Sequence, residues 1–161
     1  MKALLALIPL ALVAACDRAA QTAPIVTVAD AWCRAAPAGA PTGGCYVTLT
    51  ASADDKLIAV ETMAAERAEI HSMDMTDGVM RMRKLDDLAL PAGQAVMLSP
   101  GAEHLMIIAP KATLAEGGVV PLTFKFAKAP AQSIDAPIRA AAAAAAAGMD
   151  HGMDHNMAHG Q

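Results

Sequence analysis

Turn residues interrupt the chain between residues 25 and 139 so often that helices of ordinary length have no room there. Asp77-Gly78, Pro91-Ala92-Gly93, Ser99-Pro100-Gly101 and Glu116-Gly117-Gly118 cut it into short runs, several of them rich in β-branched residues. Ile25-Val26-Thr27-Val28 and Tyr46-Val47-Thr48-Leu49-Thr50 read as strands, with residues 35–44 between them as a Pro- and Gly-rich loop. Further strands are expected at 57–62, 68–73, 79–85, 95–98, 104–109, 119–126 and 132–138, and only residues 111–115 suit a helix. Short strands at this spacing predict an all-β sandwich or barrel. A chain of 161 residues holds one such domain with some length to spare. Aromatic residues make up only 2%, so the core must be built from Val, Ile, Leu, Met and Ala.

The spare length lies at the two ends. Residues 1–15 carry one Lys, then an apolar run too short to span a bilayer, then small residues, which is the pattern of an export signal. Val13-Ala14-Ala15-Cys16 resembles a bacterial lipobox, which implies cleavage before Cys16 and lipid attachment to it; ordinary signal cleavage without a lipid is the alternative. Either route delivers the mature chain to an oxidising compartment outside the cytoplasm, the periplasm or cell envelope. Residues 16–24 read as a tether, 25–139 as the folded domain and 140–148 as an Ala-rich linker. Residues 149–161 form a flexible tail rich in His and Met. A net charge of −4 opposes nucleic-acid binding, which needs a basic face. An enzyme is the least supported class, because Gly-x-Ser-x-Gly, a phosphate loop and His-Glu-x-x-His are all missing from the sequence.

His104-Leu105-Met106-Ile107 carries the most chemistry. Side chains on a strand alternate between faces. With Leu105 and Ile107 directed into the core, His104 and Met106 stand together on the other face. The same alternation links Met80 with Met82, and it aligns His71, Met73 and Met75 if their strand stays extended. The turn at Ser99-Pro100-Gly101 just before His104 suggests a site at an edge of the sandwich. Thioethers are soft and neutral and imidazole is intermediate, so a His/Met set without carboxylate or thiolate selects Cu(I) over Zn, Mg or Ca. Taken singly, each Met reads as core filler and each His as a surface residue. The pairing of His104 with Met106 opposite two aliphatic residues is what favours a metal.

His71, ten intervening residues, Met82, twenty-one intervening residues and then His104-x-Met106 resembles the pattern of the periplasmic PCuAC copper chaperones. The surroundings are similar too: Ala31-Trp32 and Arg34, Glu69-Ile70-His71, Asp77-Gly78-Val79-Met80, Leu90-Pro91-Ala92-Gly93, Pro100-Gly101 and Pro121-Leu122-Thr123-Phe124. The resemblance spans roughly residues 28–126. It implies a cupredoxin-like β-sandwich that binds Cu(I) through His71, Met82, His104 and Met106 at an exposed edge. It also implies delivery of that copper to the copper-site subunit of cytochrome c oxidase, alongside Sco-type thiol proteins. Met73, Met75 and Met80 receive no role from it; transient contacts during transfer are open to them, and packing is the expectation for Met80.

Two features depart from that family's common pattern. Cys33 closes the first strand and Cys45 opens the second, so an antiparallel pair would let them face each other. In an exported chain this favours a structural disulfide, with a redox or copper-binding dithiol as the alternative. The other departure is the tail, where Met149, Met153 and Met157 recur every four residues, as do His151, His155 and His159. These residues suit a secondary copper site that takes Cu(II) through imidazole and Cu(I) through sulfur; a disordered polar end is the bland reading. A copper storage or resistance protein shares the ligands and the compartment. An electron-transfer cupredoxin needs a Cys thiolate near the His and Met ligands, and the stretch around His104 has none.

Overall fold

The computed structural model describes residues 22–140 except Asp77. The signal segment with Cys16, most of the linker and the tail residues Met149, His151, Met153, His155, Met157 and His159 lie outside the described residues. Among the described residues ten strands follow one another: β1 (Val26–Arg34), β2 (Thr42–Ala51), β3 (Asp55–Glu61), β4 (Ala65–Thr76), β5 (Val79–Leu85), β6 (Leu88–Leu90), β7 (Ala95–Leu98), β8 (His104–Pro110), β9 (Val119–Phe126) and β10 (Gln132–Arg139).

Pairing runs along the path β5-β4-β8-β2-β1-β10-β9-β3-β6, with β7 beside the second half of β2. The β1–β10 contact is parallel and holds only two partner pairs, Cys33 with Ile138 and Arg34 with Arg139. At this short joint the path folds into two layers, one of β5-β4-β8-β2-β1 with β7 and one of β10-β9-β3-β6. Leu49, Ile70, Leu98, Leu105 and Ile107 from the first layer share one core with Leu57, Leu90, Val120, Leu122 and Phe124 from the second. The all-β sandwich expected from the turn spacing is the observed fold. β9 shows why: Val120, Leu122, Phe124 and Phe126 are buried, while Val119, Pro121, Thr123 and Lys125 alternate outward.

Three local expectations need correction. Thr42, Gly43 and Gly44 belong to β2, not to the loop. A Cβ on Gly43 would collide with the Leu114 side chain, and one on Gly44 would lie 2.8 Å from the Tyr46 hydroxyl. The glycines there admit tight packing and do not mark a turn. Residues 111–115 form no helix, because their backbone is already engaged elsewhere. The Lys111 N–H donates to the Ala64 carbonyl at 2.9 Å, and the Leu114 carbonyl accepts the Ala36 N–H at 3.0 Å. Leu88-Ala89-Leu90 is a further strand whose three residues are too few to show alternation; pairing with β3 and burial of Leu90 define it.

Cys33 and Cys45 are directly opposed on β1 and β2, fully buried, and joined as a disulfide. A second cross-link is polar. Asp55, only 5% exposed, accepts the N–H groups of Lys56 at 2.8 Å, Lys128 at 2.9 Å and Ala129 at 2.8 Å, tying the start of β3 to the β9–β10 connection. Burial alone would raise its pKa. The three N–H groups and the Lys128 charge outweigh that, and the net shift is downward. A depressed folded-state pKa contributes stability that is fully present above the unfolded value and is lost as pH falls through the folded one. Asp55→Ala should therefore cost about 2–4 kcal/mol at neutral pH, because two long-range amides lose a charged acceptor. In acid melts the variant should lose less stability than the parent below the usual carboxylate range. Parallel pH–stability curves for the two proteins would remove Asp55 from that role.

Candidate metal site

Strand register builds the site as a series of rows on one face of the first layer. Directly opposed residues share a face, with Cβ atoms about 4.5–5.5 Å apart. Gly44, Met106 and Glu69 make one row across β2, β8 and β4. His104, His71 and Lys84 make the next across β8, β4 and β5. Met73 faces Met82 in the third row, and Met75 faces Met80 in the fourth. Leu105, Ile107 and Ile70 are buried on the opposite face, so the alternation expected around His104 holds.

The two histidines are the centre of this face, with ring centroids 6.0 Å apart. Their nitrogens are differentiated. The His104 Nδ1–H donates to the Ala102 carbonyl at 2.9 Å, which leaves Nε2 as the atom with a free lone pair. His71 has the opposite arrangement: its Nε2–H donates to Glu69 Oε2 at 2.9 Å. Its Nδ1 is buried and has no hydrogen-bond partner among the described residues. Buried polar atoms are almost always satisfied, so an orphaned imidazole nitrogen on a ring 6.0 Å from a second imidazole fits a position meant for a ligand.

Glu69 is a functional candidate that the sequence reading did not single out. Its other oxygen accepts the Arg67 Nε–H at 2.9 Å and lies 3.7 Å from Lys84 Nζ. The hydrogen bond from His71 is the main cause of its lowered pKa; burial opposes it, and Arg67 and Lys84 add to it. A carboxylate that holds the far nitrogen of a ligating histidine fixes ring orientation and tautomer. The signal was present, because a residue two before His71 on a strand must share its face.

The setting differs from the expected solvent-facing edge. β4 and β8 are interior strands, and His104 is only 8% exposed, covered where the turn at residues 99–103 places the Ala102 carbonyl on its ring. Only Met82 stands on an edge strand, 45% exposed. Met106 and Met82 lie in rows on either side of the histidine row, and neighbouring rows are about 7 Å apart along the strands. β4 pairs with β8 only up to His71; beyond it β4 and β5 form a two-stranded ribbon. A flexible thioether can cover that spacing, so Met106 from β8 and Met82 from the ribbon can both approach an ion between the rings. Tyr46, packed at 4.5 Å from Trp32, lies back over Gly44 and borders the site beside Met106. Met80 is 54% exposed, so the packing expected for it is wrong; the cause is that β5 is exposed along nearly its whole length.

Comparison with known proteins bears on the family and the fold. A family model described as "Putative lipoprotein LpqE-like" matches residues 26–138. "Putative lipoprotein Lxx21020" of Leifsonia xyli subsp. xyli (strain CTCB07) is 26% identical over 115 residues, 71% of this chain and 69% of that protein. The apo PCuAC domain from PmoF1 is 27% identical with a TM-score of 0.60, covering 71% of this chain and 93% of that one. The solution structure of the Cu(I) form of DR1885 from Deinococcus radiodurans shares the fold at 24% identity and a TM-score of 0.59. It covers 78% of this chain and 85% of that one.

Proposed function

Because the chain belongs to the LpqE-like family and has the fold of the PCuAC copper-binding domains, we propose that it is an extracytoplasmic Cu(I) chaperone. The observation that carries this reading is the buried, unpartnered Nδ1 of His71 beside a His104 whose Nδ1–H is already committed. His71 Nδ1 and His104 Nε2 are the nitrogen donors, and Met82 and Met106 supply two thioethers. This set is neutral and soft, as Cu(I) requires. Copper is cargo here, so exchangeable ligands matter more than a rigid cage. The ribbon that carries Met82 can open to release the ion, while the histidines stay in place. Lipidation at Cys16 would hold the chain at a membrane in the cell envelope, and the recipient is the copper-site subunit of cytochrome c oxidase, with a Sco-type thiol protein alongside. The tail at residues 149–161 serves as a secondary site that takes Cu(II).

Incubating the Cu(I)-loaded protein with a purified oxidase copper domain tests delivery. Copper should move to the oxidase domain within minutes and leave the donor apo. Retention of the ion on the donor would favour storage instead. Glu69→Gln gives a finer test, since it keeps the shape and removes the carboxylate that orients His71. Cu(I) affinity should fall about 10–100-fold, the range found for partners of ligating histidines. Competition against a chromophoric chelator reads this directly, and an unchanged affinity would leave Glu69 as an ordinary surface carboxylate.

A further inference from the structure

The ribbon beyond His71 holds more sulfur than one site needs. Met73 faces Met82 and Met75 faces Met80, all four on the face that carries the two histidines. Met75 is 66% exposed and Met80 54%, so neither packs in the core. An edge strand ordinarily carries charged residues that discourage association. On this ribbon the polar residues Ser72, Asp74, Arg81 and Arg83 occupy the other face, where Asp74 and Arg83 form an ion pair. Sequence alternation has thus sorted the thioethers onto one side and the charges onto the other.

We propose that Met75 and Met80 form a second, outer Cu(I) site, with Met73 shared between it and the inner His/Met set. Opposed residues on paired strands bring their Cβ atoms within about 5 Å, close enough for two flexible thioethers to meet on one ion. Neutral sulfur without carboxylate or imidazole selects a soft monovalent ion, and its accessibility suits capture from solution or from a donor protein. The next row inward is about 7 Å away, a distance one side-chain swing can cover. The ion then passes by ligand exchange, Met73 and Met82 replacing Met75 and Met80 before the histidines take hold. No electron is transferred and the charge stays +1 throughout. Met73 is also one strand nearer to His104 than Met82, so it joins the inner set on the way in. The outer site itself does not depend on the inner site being a copper site; only the onward transfer rests on the chaperone reading.

The full-length chain, labelled with carbon-13 at the methionine methyl groups and assigned by single Met→Leu substitutions, provides the test. Cu(I) is titrated anaerobically. The first equivalent should shift the methyl signals of Met82 and Met106, and further Cu(I) should shift those of Met75 and Met80. In the His104→Ala, Met106→Leu chain the Met75 and Met80 signals should still move, which separates this site from the inner one. In the Met75→Leu, Met80→Leu chain one fewer Cu(I) should bind, while the inner site still fills. Met75 and Met80 signals that stay fixed after the inner site and the tail methionines have saturated would overturn the proposal. So would an unchanged Cu(I) stoichiometry in the Met75→Leu, Met80→Leu chain.

Discussion

Replacing His104 by Ala and Met106 by Leu together will abolish Cu(I) binding at the histidine pair and leave the domain folded. Structural zinc sites release about 10–16 kcal/mol, and if four Cu(I) ligands share a total of that order each contributes roughly 3 kcal/mol. Losing two lowers affinity by about ten-thousand-fold at 1.4 kcal/mol per decade. The structural cost is small by comparison. Met106→Leu conserves volume at a half-buried position. His104→Ala removes one hydrogen bond, to the Ala102 carbonyl, at about 1 kcal/mol, and the packing of a ring only 8% exposed, at about 2 kcal/mol more. The measurement is a chelator competition in chains whose tail residues His151, His155 and His159 are also Ala and Met149, Met153 and Met157 also Leu, so that tail ligands do not mask the loss. Circular dichroism of the same samples reports the fold. Equal affinities in the parent and the double variant would remove these residues from the site.

Loss of the Cys33–Cys45 disulfide will destabilise the domain strongly without touching the site face. The bond spans a sequence separation of 12, and the chain-entropy relation assigns a loop of that size about 3 kcal/mol. For a domain of this length that is roughly 10–15 °C in melting temperature. Both sulfurs are fully buried at the seam where β1 meets both β2 and β10. The Cys33→Ala, Cys45→Ala chain should therefore melt much earlier yet bind Cu(I) at the histidine pair with the affinity of the parent. Alternation explains the second half of this expectation. Gly44 shares the row of Met106, so Cys45, next in the strand, points to the core. Loss of Cu(I) binding in a folded Cys33→Ala, Cys45→Ala chain would bring the thiols into the copper chemistry.

Local patterns in the chain were enough for the all-β class, for most strand positions and for the shared face of His104 and Met106. Each of these depends on nothing beyond period-two alternation and turn chemistry within a few residues. The same reasoning failed where a long-range contact overrode the local signal. Gly43 and Gly44 look like loop residues until Leu114 and Tyr46 pack against them, and Leu88–Leu90 has no pattern until β3 pairs with it.

For the site, the sequence alone determined which residue types are present and which of them share a strand face. It could not determine the rows. That His71 stands opposite His104, that Met82 meets Met73 and that Met75 meets Met80 follow from the register of β4 with β8 and β5. Register is set by how the whole hydrophobic face of each strand seats in the core, and a slip of one residue would turn every one of these side chains to the other side. Burial of the histidines, the opposed choice of ring nitrogens made by Glu69 and the Ala102 carbonyl, and the ribbon left unpaired beyond His71 likewise exist only once distant segments have packed together.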